Sequence, residues 1–168
     1  MERTIFFLML LTVVGAFSQT ADCNCCSEAQ QAFDFWVGEW IVTNADGTPA
    51  GKNSIVKEEN GCVLRENWTS EKSGFTGTSL NFYNAPEKQW EQLWIDNTGN
   101  HLKLIGNRVD NRMVMTSVEL KRPDGQKYRN RITWTLNKDG SVRQLWEVLK
   151  GDEVTSVAFD GLYKKVLE

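Results

Sequence analysis

The sequence predicts an all-β fold, a closed antiparallel up-and-down β-barrel of about ten strands with a short N-terminal helix. Turn-forming pairs recur at short intervals after Trp40, among them Asp46-Gly47, Asn60-Gly61 and Asp160-Gly161, and such pairs tolerate the positive φ of tight hairpins. The segments between the turns are rich in Val, Ile, Thr, Trp and Tyr, which is the composition of strands. Short connections favour antiparallel neighbours, and closing the sheet removes its exposed edges. A β-sandwich is the alternative fold.

Residues 1–18 are predicted to be a signal peptide. The apolar run from Ile5 to Val14 has the length of a signal-peptide hydrophobic region, and Ala16-Phe17-Ser18 has the small-x-small pattern of a cleavage site. The run is shorter than the roughly 20 residues that a membrane span needs. We therefore expect cleavage after Ser18, no membrane span afterwards, and an exported protein that is periplasmic or secreted.

Residues 19–32 are expected to form a cysteine-containing segment ahead of a single barrel domain at residues 33–168. The residues from Ser27 to Phe35 have the pattern of a short capped helix. The cysteines of the chain are Cys23, Cys25, Cys26 and Cys62. In an oxidising compartment we expect a disulfide from Cys62 to one of the other three, which would tie the segment to the barrel. A metal site is not expected, because the clustered cysteines lack the spacing of a closed zinc site.

Composition argues against several classes of function. The net charge of −3 and the pI near 5.3 give no electrostatic reason to expect nucleic acid or an anionic membrane as a partner. Glycine-rich phosphate-binding patterns are absent from the sequence. His101 is the single histidine and is predicted at a strand entrance, on the surface or rim, so it gives no argument for a Ser/His/Asp arrangement. We therefore predict no cofactor.

Alternation along the strands predicts which residues face the barrel interior. From Tyr128 to Leu136 the odd-numbered residues are Arg and Thr, so the even-numbered face should be the buried one. The same pattern places the even-numbered residues of Cys62–Thr69 and Val142–Val148 inside. It also does so from Trp90 to Asp96, where two apolar odd-numbered residues weaken the contrast.

On this predicted inner face, three polar residues lie two positions before a tryptophan, and Asn130 with Trp134 extends the pattern loosely. The set of candidate ligand-binding residues is Glu66, Trp68, Gln92, Trp94, Asn130, Trp134, Gln144 and Trp146. Residues two apart in a strand share a face, so these side chains could line one lumen. A buried polar group without a partner costs about 1–3 kcal/mol, so the group must pair with a neighbour, hold water or meet a ligand. The set predicts a pocket for a small hydrophobic or aromatic molecule; the alternative is that the tryptophans simply fill a packed core.

Glu66 is the candidate residue that could take part in acid–base chemistry. A carboxyl group among tryptophans and without a cation would have a raised pKa and could exchange protons. A carboxylate paired with a neighbouring Arg or Gln would be structural. The leading hypothesis is a non-enzymatic barrel that binds or carries a small, partly hydrophobic molecule. The alternatives are an enzyme with Glu66 as general acid/base, in which Gln92 or Gln144 orients the substrate, and a structural or interaction module with a closed core.

The stretch FDFWVGEW, from Phe33 to Trp40, resembles the signature at the start of the first barrel strand in lipocalins and related calycins. Together with NGCVLRENW and QWEQLWIDNTG, it is similar to a family of bacterial lipocalin-like domains, over roughly residues 33–163. The resemblance implies a closed barrel with small-molecule binding in the lumen. It gives an architectural role to Phe33, Asp34, Trp36, Gly38 and Trp40, with Phe33, Phe35 and Trp36 plugging one barrel end.

The sequence departs from this resemblance in two places. Lipocalins place a late arginine against the Gly-x-Trp tryptophan, whereas this chain has Lys164 and Lys165. The related nitrobindins hold haem with a late histidine, and no histidine follows His101 here. Haem is therefore not an expected cofactor.

Overall fold

A computed structural model describes residues 23–72 and 74–166. The strands are β1 (Gly38–Asn44), β2 (Pro49–Glu58), β3 (Val63–Ser70), β4 (Thr76–Asn84), β5 (Gln89–Asp96), β6 (His101–Val109), β7 (Arg112–Thr116), β8 (Leu120–Lys121), β9 (Lys127–Leu136), β10 (Val142–Lys150) and β11 (Glu153–Lys165). Short 3-10 turns lie at Asp34–Trp36 and Glu59–Gly61. The predicted signal peptide lies outside the described residues. No helix in the described part of the chain is long and apolar enough to cross a membrane.

Strand pairing closes the sheet into a barrel. Strands β1 to β7 pair in sequence order, β7 pairs with β9, β9 with β10, β10 with β11, and β11 returns to β1. Every pairing is antiparallel. The two-residue strand β8 pairs with β9 outside this ring. The prediction of an all-β closed barrel of about ten strands is confirmed, and the closed ring excludes the β-sandwich.

The hairpin order gives the barrel two different ends. Gly38, which begins β1, lies opposite Ile55 near the end of β2, so the chain enters the barrel at the end where β2 finishes. We call this the closed end. At the other, open end lie the loops β1–β2, β3–β4, β5–β6, β7–β9 and β10–β11, as the antiparallel pairing requires.

The prediction of a helix from Ser27 to Phe35 is wrong. The capping contacts do form. The backbone N–H of Gln30 donates to Ser27 Oγ at 3.3 Å, and the backbone N–H of Gln31 donates to the Ser27 carbonyl at 3.0 Å. The later bonds then tighten to three-residue spacing, and the segment consists of turns followed by the 3-10 turn Asp34–Trp36. A helix this short is marginal by itself, and the buried Phe33 and Trp36 set the chain path instead.

Aromatic side chains from the Phe33–Trp40 stretch fill the closed end. Phe33 and Trp36 are fully buried, and their rings stack at 4.9 Å between centroids. Phe33 also meets the edges of Trp90 and Trp134 at 5.7 and 5.2 Å. Such pairs add stability beyond the area they bury. The stretch therefore stabilises the fold and does not line the cavity described below.

Polar contacts hold this stretch in place. Trp40 Nε1 donates to the Trp36 carbonyl at 2.8 Å, and Asp34 pairs with Lys57. Nζ of Lys165 lies 5.3 Å from the centre of the Trp40 ring, so a lysine packs where the resemblance leads us to expect an arginine. Gly38 has a φ of 140°, a conformation that other residues rarely adopt.

Two disulfides secure the N-terminal segment. Cys25 is bonded to Cys62, which confirms the predicted link from Cys62 to the cysteine cluster. Cys23 is bonded to Cys26, a second bridge that the spacing did not predict. No free cysteine is left among the described residues.

Burial confirms the predicted inner face of β9, where Asn130, Ile132 and Trp134 are buried. Strand β10 pairs with β9 without a shift, and Val148 lies opposite the buried Asn130. Directly opposed residues share a face, so Val148 lies on the predicted inner face, although it is only partly buried. The irregularity lies in β11, which carries one extra residue opposite the step from Trp146 to Glu147 and another opposite the step from Val148 to Leu149.

Candidate functional site

A cavity of about 230 Å³ lies inside the barrel toward the open end. Its lining residues are Glu66, Trp68, Phe75, Gln92, Trp94, Asp96, Leu102, Ile132, Trp134, Gln144, Trp146, Ala158, Phe159 and Tyr163. Seven of the eight residues predicted from the sequence are in this set. The exception is Asn130, which is buried behind the wall and accepts a hydrogen bond from Trp146 Nε1 at 2.8 Å. Asn130 therefore orients a lining side chain.

Strand register brings these distant residues together. Glu66 on β3 lies opposite Ser79 on β4, and Ser79 lies opposite Trp94 on β5. On the other side of the barrel, Gln144 on β10 lies opposite Trp134 on β9. Because directly opposed residues share a face, each pair projects to the interior.

A chain of hydrogen bonds holds the polar side chains of β2 to β5. Glu66 Oε1 accepts from Asn53 Nδ2 at 2.8 Å, and Glu66 Oε2 accepts from the Ser79 hydroxyl at 2.6 Å. Asn81 Nδ2 donates to Ser79 Oγ at 2.9 Å, and Gln92 Nε2 donates to Asn81 Oδ1 at 2.7 Å. The network fixes the position of Glu66 without supplying a positive charge.

The surroundings of Glu66 raise its pKa to about 7. The main cause is burial, which disfavours the charged form, and the hydrogen bonds from Ser79 and Asn53 offset it in part. No cation pairs with Glu66 among the described residues. A carboxyl group with this pKa can accept or donate a proton near neutral pH.

Tyr163 from β11 completes the polar lining. Its hydroxyl donates to Gln144 Oε1, and burial together with the charge of Glu66 raises its pKa well above the ordinary value. The hydroxyl therefore stays protonated and keeps Gln144 oriented. Gln144 thus uses its oxygen, and its Nε2 has no hydrogen-bond acceptor in the described part of the chain. Gln92 uses its Nε2, and its Oε1 likewise has no donor there.

Two tryptophans form the wall near the open end, and the ring of each packs against a glycine. An added Cβ on Gly51 would lie 2.9 Å from the Trp68 ring, and one on Gly77 would overlap the Trp94 ring. Phe159 meets the Trp68 ring edge-on, at 6.0 Å between centroids. The glycines thus allow large aromatic surfaces to lie along the strands and border the cavity.

Several site residues escape prediction from the sequence. They are Tyr163, Phe159 and Phe75 in the cavity wall, and Asn53, Ser79 and Asn81 in the network behind it. The pattern in β4 is misleading, because the apolar Leu80 and Phe82 face outward there. The position of Asn53 could have been predicted, because it lies two residues before the buried Ile55 on β2 and therefore on the same face.

Two buried polar atoms next to this lining have no protein partner. Trp134 Nε1 and Asn53 Oδ1 lack a hydrogen bond among the described residues. Buried polar atoms are generally paired, so these two atoms are exceptions, and both are inaccessible to solvent. In the described ranges no three His, Cys, Asp or Glu side chains lie close enough together to hold a metal ion.

No known family model matches the sequence, and no curated protein matches it significantly. The closed ten-stranded barrel is compatible with the lipocalin-like fold that the Phe33–Trp40 stretch implies. A shared fold does not carry function with it, so function must be argued from the cavity.

Proposed function

We propose that this protein binds a small, partly apolar molecule in its barrel lumen and acts as an exported binding or carrier protein. The observation that carries the proposal is the cavity itself, with four tryptophans and two phenylalanines in its wall and polar groups held in place behind them. Ligand sites typically combine apolar walls with a few fixed polar groups. The two disulfides support export, because such bonds persist in oxidising compartments.

The volume limits the size of the ligand. A buried cavity of about 150 Å³ holds benzene, and sites for drug-sized ligands measure about 300–1,000 Å³. The cavity here, at about 230 Å³, lies between these values. It suits one aromatic ring with a short substituent, or a bicyclic ring system.

The test is a titration of the mature protein with single-ring and two-ring aromatic compounds, followed by tryptophan fluorescence and calorimetry. We expect saturable binding with one site per chain. Trp94→Ala should weaken this binding at least tenfold, whereas Leu93→Ala, its outward-facing neighbour on β5, should not. Failure of every compound to bind would overturn the proposal.

A second candidate function, an enzyme acting in the same cavity, is favoured by Glu66. This carboxyl group lines the cavity, and its pKa of about 7 suits general acid/base catalysis. If a bound compound is also converted, Glu66→Gln should abolish turnover and leave binding within a few fold. Undiminished turnover in this variant would reject Glu66 as the acid/base.

A further inference from the structure

The charges that line the cavity are all of one sign. Glu66 and Asp96 are its charged residues, and no Lys, Arg or His occurs among the described residues that line it. A basic residue, Lys72, lies outside the cavity at the open end. It borders a neighbouring groove that shares Trp68 and Phe75 with the cavity, and its charge acts on Asp46. An anionic ligand would therefore meet only like charges inside the cavity.

Neither of these two carboxyl groups pairs with a cation among the described residues, whereas several other carboxyl groups of the barrel do. Glu91, Glu147 and Asp160, for example, pair with Lys103, Arg131 and Arg143 respectively. Glu66 receives only neutral hydrogen bonds, from Asn53 and Ser79. Asp96 likewise accepts from Thr98 and Asn100 in its own loop.

Each oxygen of Glu66 accepts a single hydrogen bond from the protein, although a carboxylate oxygen can accept two. Glu66 lines the cavity and thus retains capacity to accept further hydrogen bonds there. A positively charged ligand group rich in N–H donors would satisfy it.

The aromatic walls of the cavity also favour a cationic ligand. Trp68, Trp94, Trp134 and Trp146 all line the cavity. The face of an indole carries the negative part of the ring quadrupole and attracts cations more strongly than any other side-chain ring. Aromatic walls around a buried carboxyl group are the combination that recognises organic cations.

We propose that the cavity takes a small organic cation, a protonated amine on an aromatic or short apolar body, with its ammonium group beside Glu66 and its body against the tryptophans. This inference rests on the proposed binding function and names the class of ligand. The raised pKa of Glu66 agrees with it, because burial without a cation is the main cause of the shift. A bound ammonium group would favour the carboxylate form.

Three compounds of nearly equal shape test the inference: phenethylamine, 2-phenylethanol and 3-phenylpropanoate, which are cationic, neutral and anionic at pH 7.5. Calorimetry on the wild-type protein should show the amine binding at least tenfold more tightly than the alcohol, and the acid most weakly. If the alcohol or the acid binds as tightly as the amine, the inference is wrong, while the proposed binding function stands. If no aromatic compound binds at all, the binding function itself has failed.

Glu66→Gln identifies the group responsible. The variant should reduce the advantage of the amine over the alcohol to less than threefold and leave the alcohol's affinity unchanged. Glu153→Gln removes the same charge from an exposed position on β11 at the open end, and it should leave the tenfold preference intact. A preference that persists in folded Glu66→Gln would overturn the assignment. Should that variant not fold, the wild-type comparison decides alone.

Discussion

At the scale of single residues, Glu66 is the most informative position in this protein. It is 5% exposed, and its oxygens accept hydrogen bonds from Asn53 and Ser79 without a cation among the described residues. A buried carboxyl group in such surroundings destabilises the fold whenever it is charged. Its position therefore makes sense as part of a site, since stability is commonly given up where a side chain has a function.

The pH dependence of stability follows from the pKa of Glu66. The value is about 7 in the folded state, against an ordinary value of 4.5. Between these pH values the folded protein holds a proton that the unfolded chain has released. The stabilising contribution of Glu66 is therefore complete below about pH 4.5 and is lost as the pH rises through 7. Relative to Glu66→Gln, the wild type should lose about 3 kcal/mol of unfolding free energy between pH 4.5 and 8.

Urea unfolding of both proteins at pH 4.5, 6, 7 and 8 measures this difference. The contributions of the other titrating groups to the unfolding free energy cancel in this comparison, because both proteins carry those groups. Glu153→Gln serves as the control, and its difference from the wild type should stay nearly constant with pH. A Glu66→Gln difference that is equally flat would show that Glu66 titrates at an ordinary pKa.

At the scale of strands, β4 and β5 build the cavity wall by combining a glycine with a tryptophan. Gly77 on β4 lies opposite Asp96 on β5, and the Trp94 ring covers the position that a Cβ on Gly77 would occupy. The φ of Gly77 is not positive, so alanine fits the backbone there. The position is restricted by the tryptophan alone.

Gly77→Ala should therefore displace the Trp94 ring and change the cavity. We expect at least tenfold weaker binding of the best aromatic probe, about 1.4 kcal/mol, and a loss of about 1–3 kcal/mol in stability from overpacking. Calorimetry and urea unfolding measure the two effects. Leu80→Ala, an outward-facing change on the same strand, is the control and should leave affinity unchanged. Unaltered binding in Gly77→Ala would mean that Trp94 does not contact the ligand.

The strands also show what sequence patterns can and cannot predict. In β9 the outward residues are Arg and Thr, so alternation identifies the inner face that the structure has. In β4 the outward Leu80 is 46% exposed, while Ser79 and Asn81 are buried. Those polar residues are tolerated inside because they bond to one another and to Glu66. Their partners depend on register between strands, which the sequence of one strand does not contain.

At the scale of the whole molecule, the barrel places its packed aromatic core and its cavity at different levels along its axis. Phe33, Trp36 and Trp90 fill the closed end, and the cavity occupies the open side with Trp68 and Trp94 in its wall. The Phe33–Trp40 stretch could be assigned an architectural role from its sequence. The cavity wall could be predicted only in part, because Tyr163 and Phe159 come from the last strand, where a bulge between Val157 and Phe159 alters the alternation.

Replacing a tryptophan by phenylalanine at each end of the barrel should separate the effect on stability from the effect on ligand affinity. Trp90 is 2% exposed and donates from Nε1 to the Ala29 carbonyl at 2.9 Å, so Trp90→Phe removes a hydrogen bond and leaves a void. We expect it to lower the unfolding free energy by about 1–3 kcal/mol and to leave ligand affinity unchanged. Trp68 is only partly buried and lines the cavity, so Trp68→Phe should weaken binding at least fivefold and change stability by less than about 1 kcal/mol. Urea unfolding measures the stability of each variant, and calorimetry measures its affinity for the aromatic probe. Equal effects of both variants on affinity would contradict the division of the barrel into a closed, stabilising end and an open, binding end.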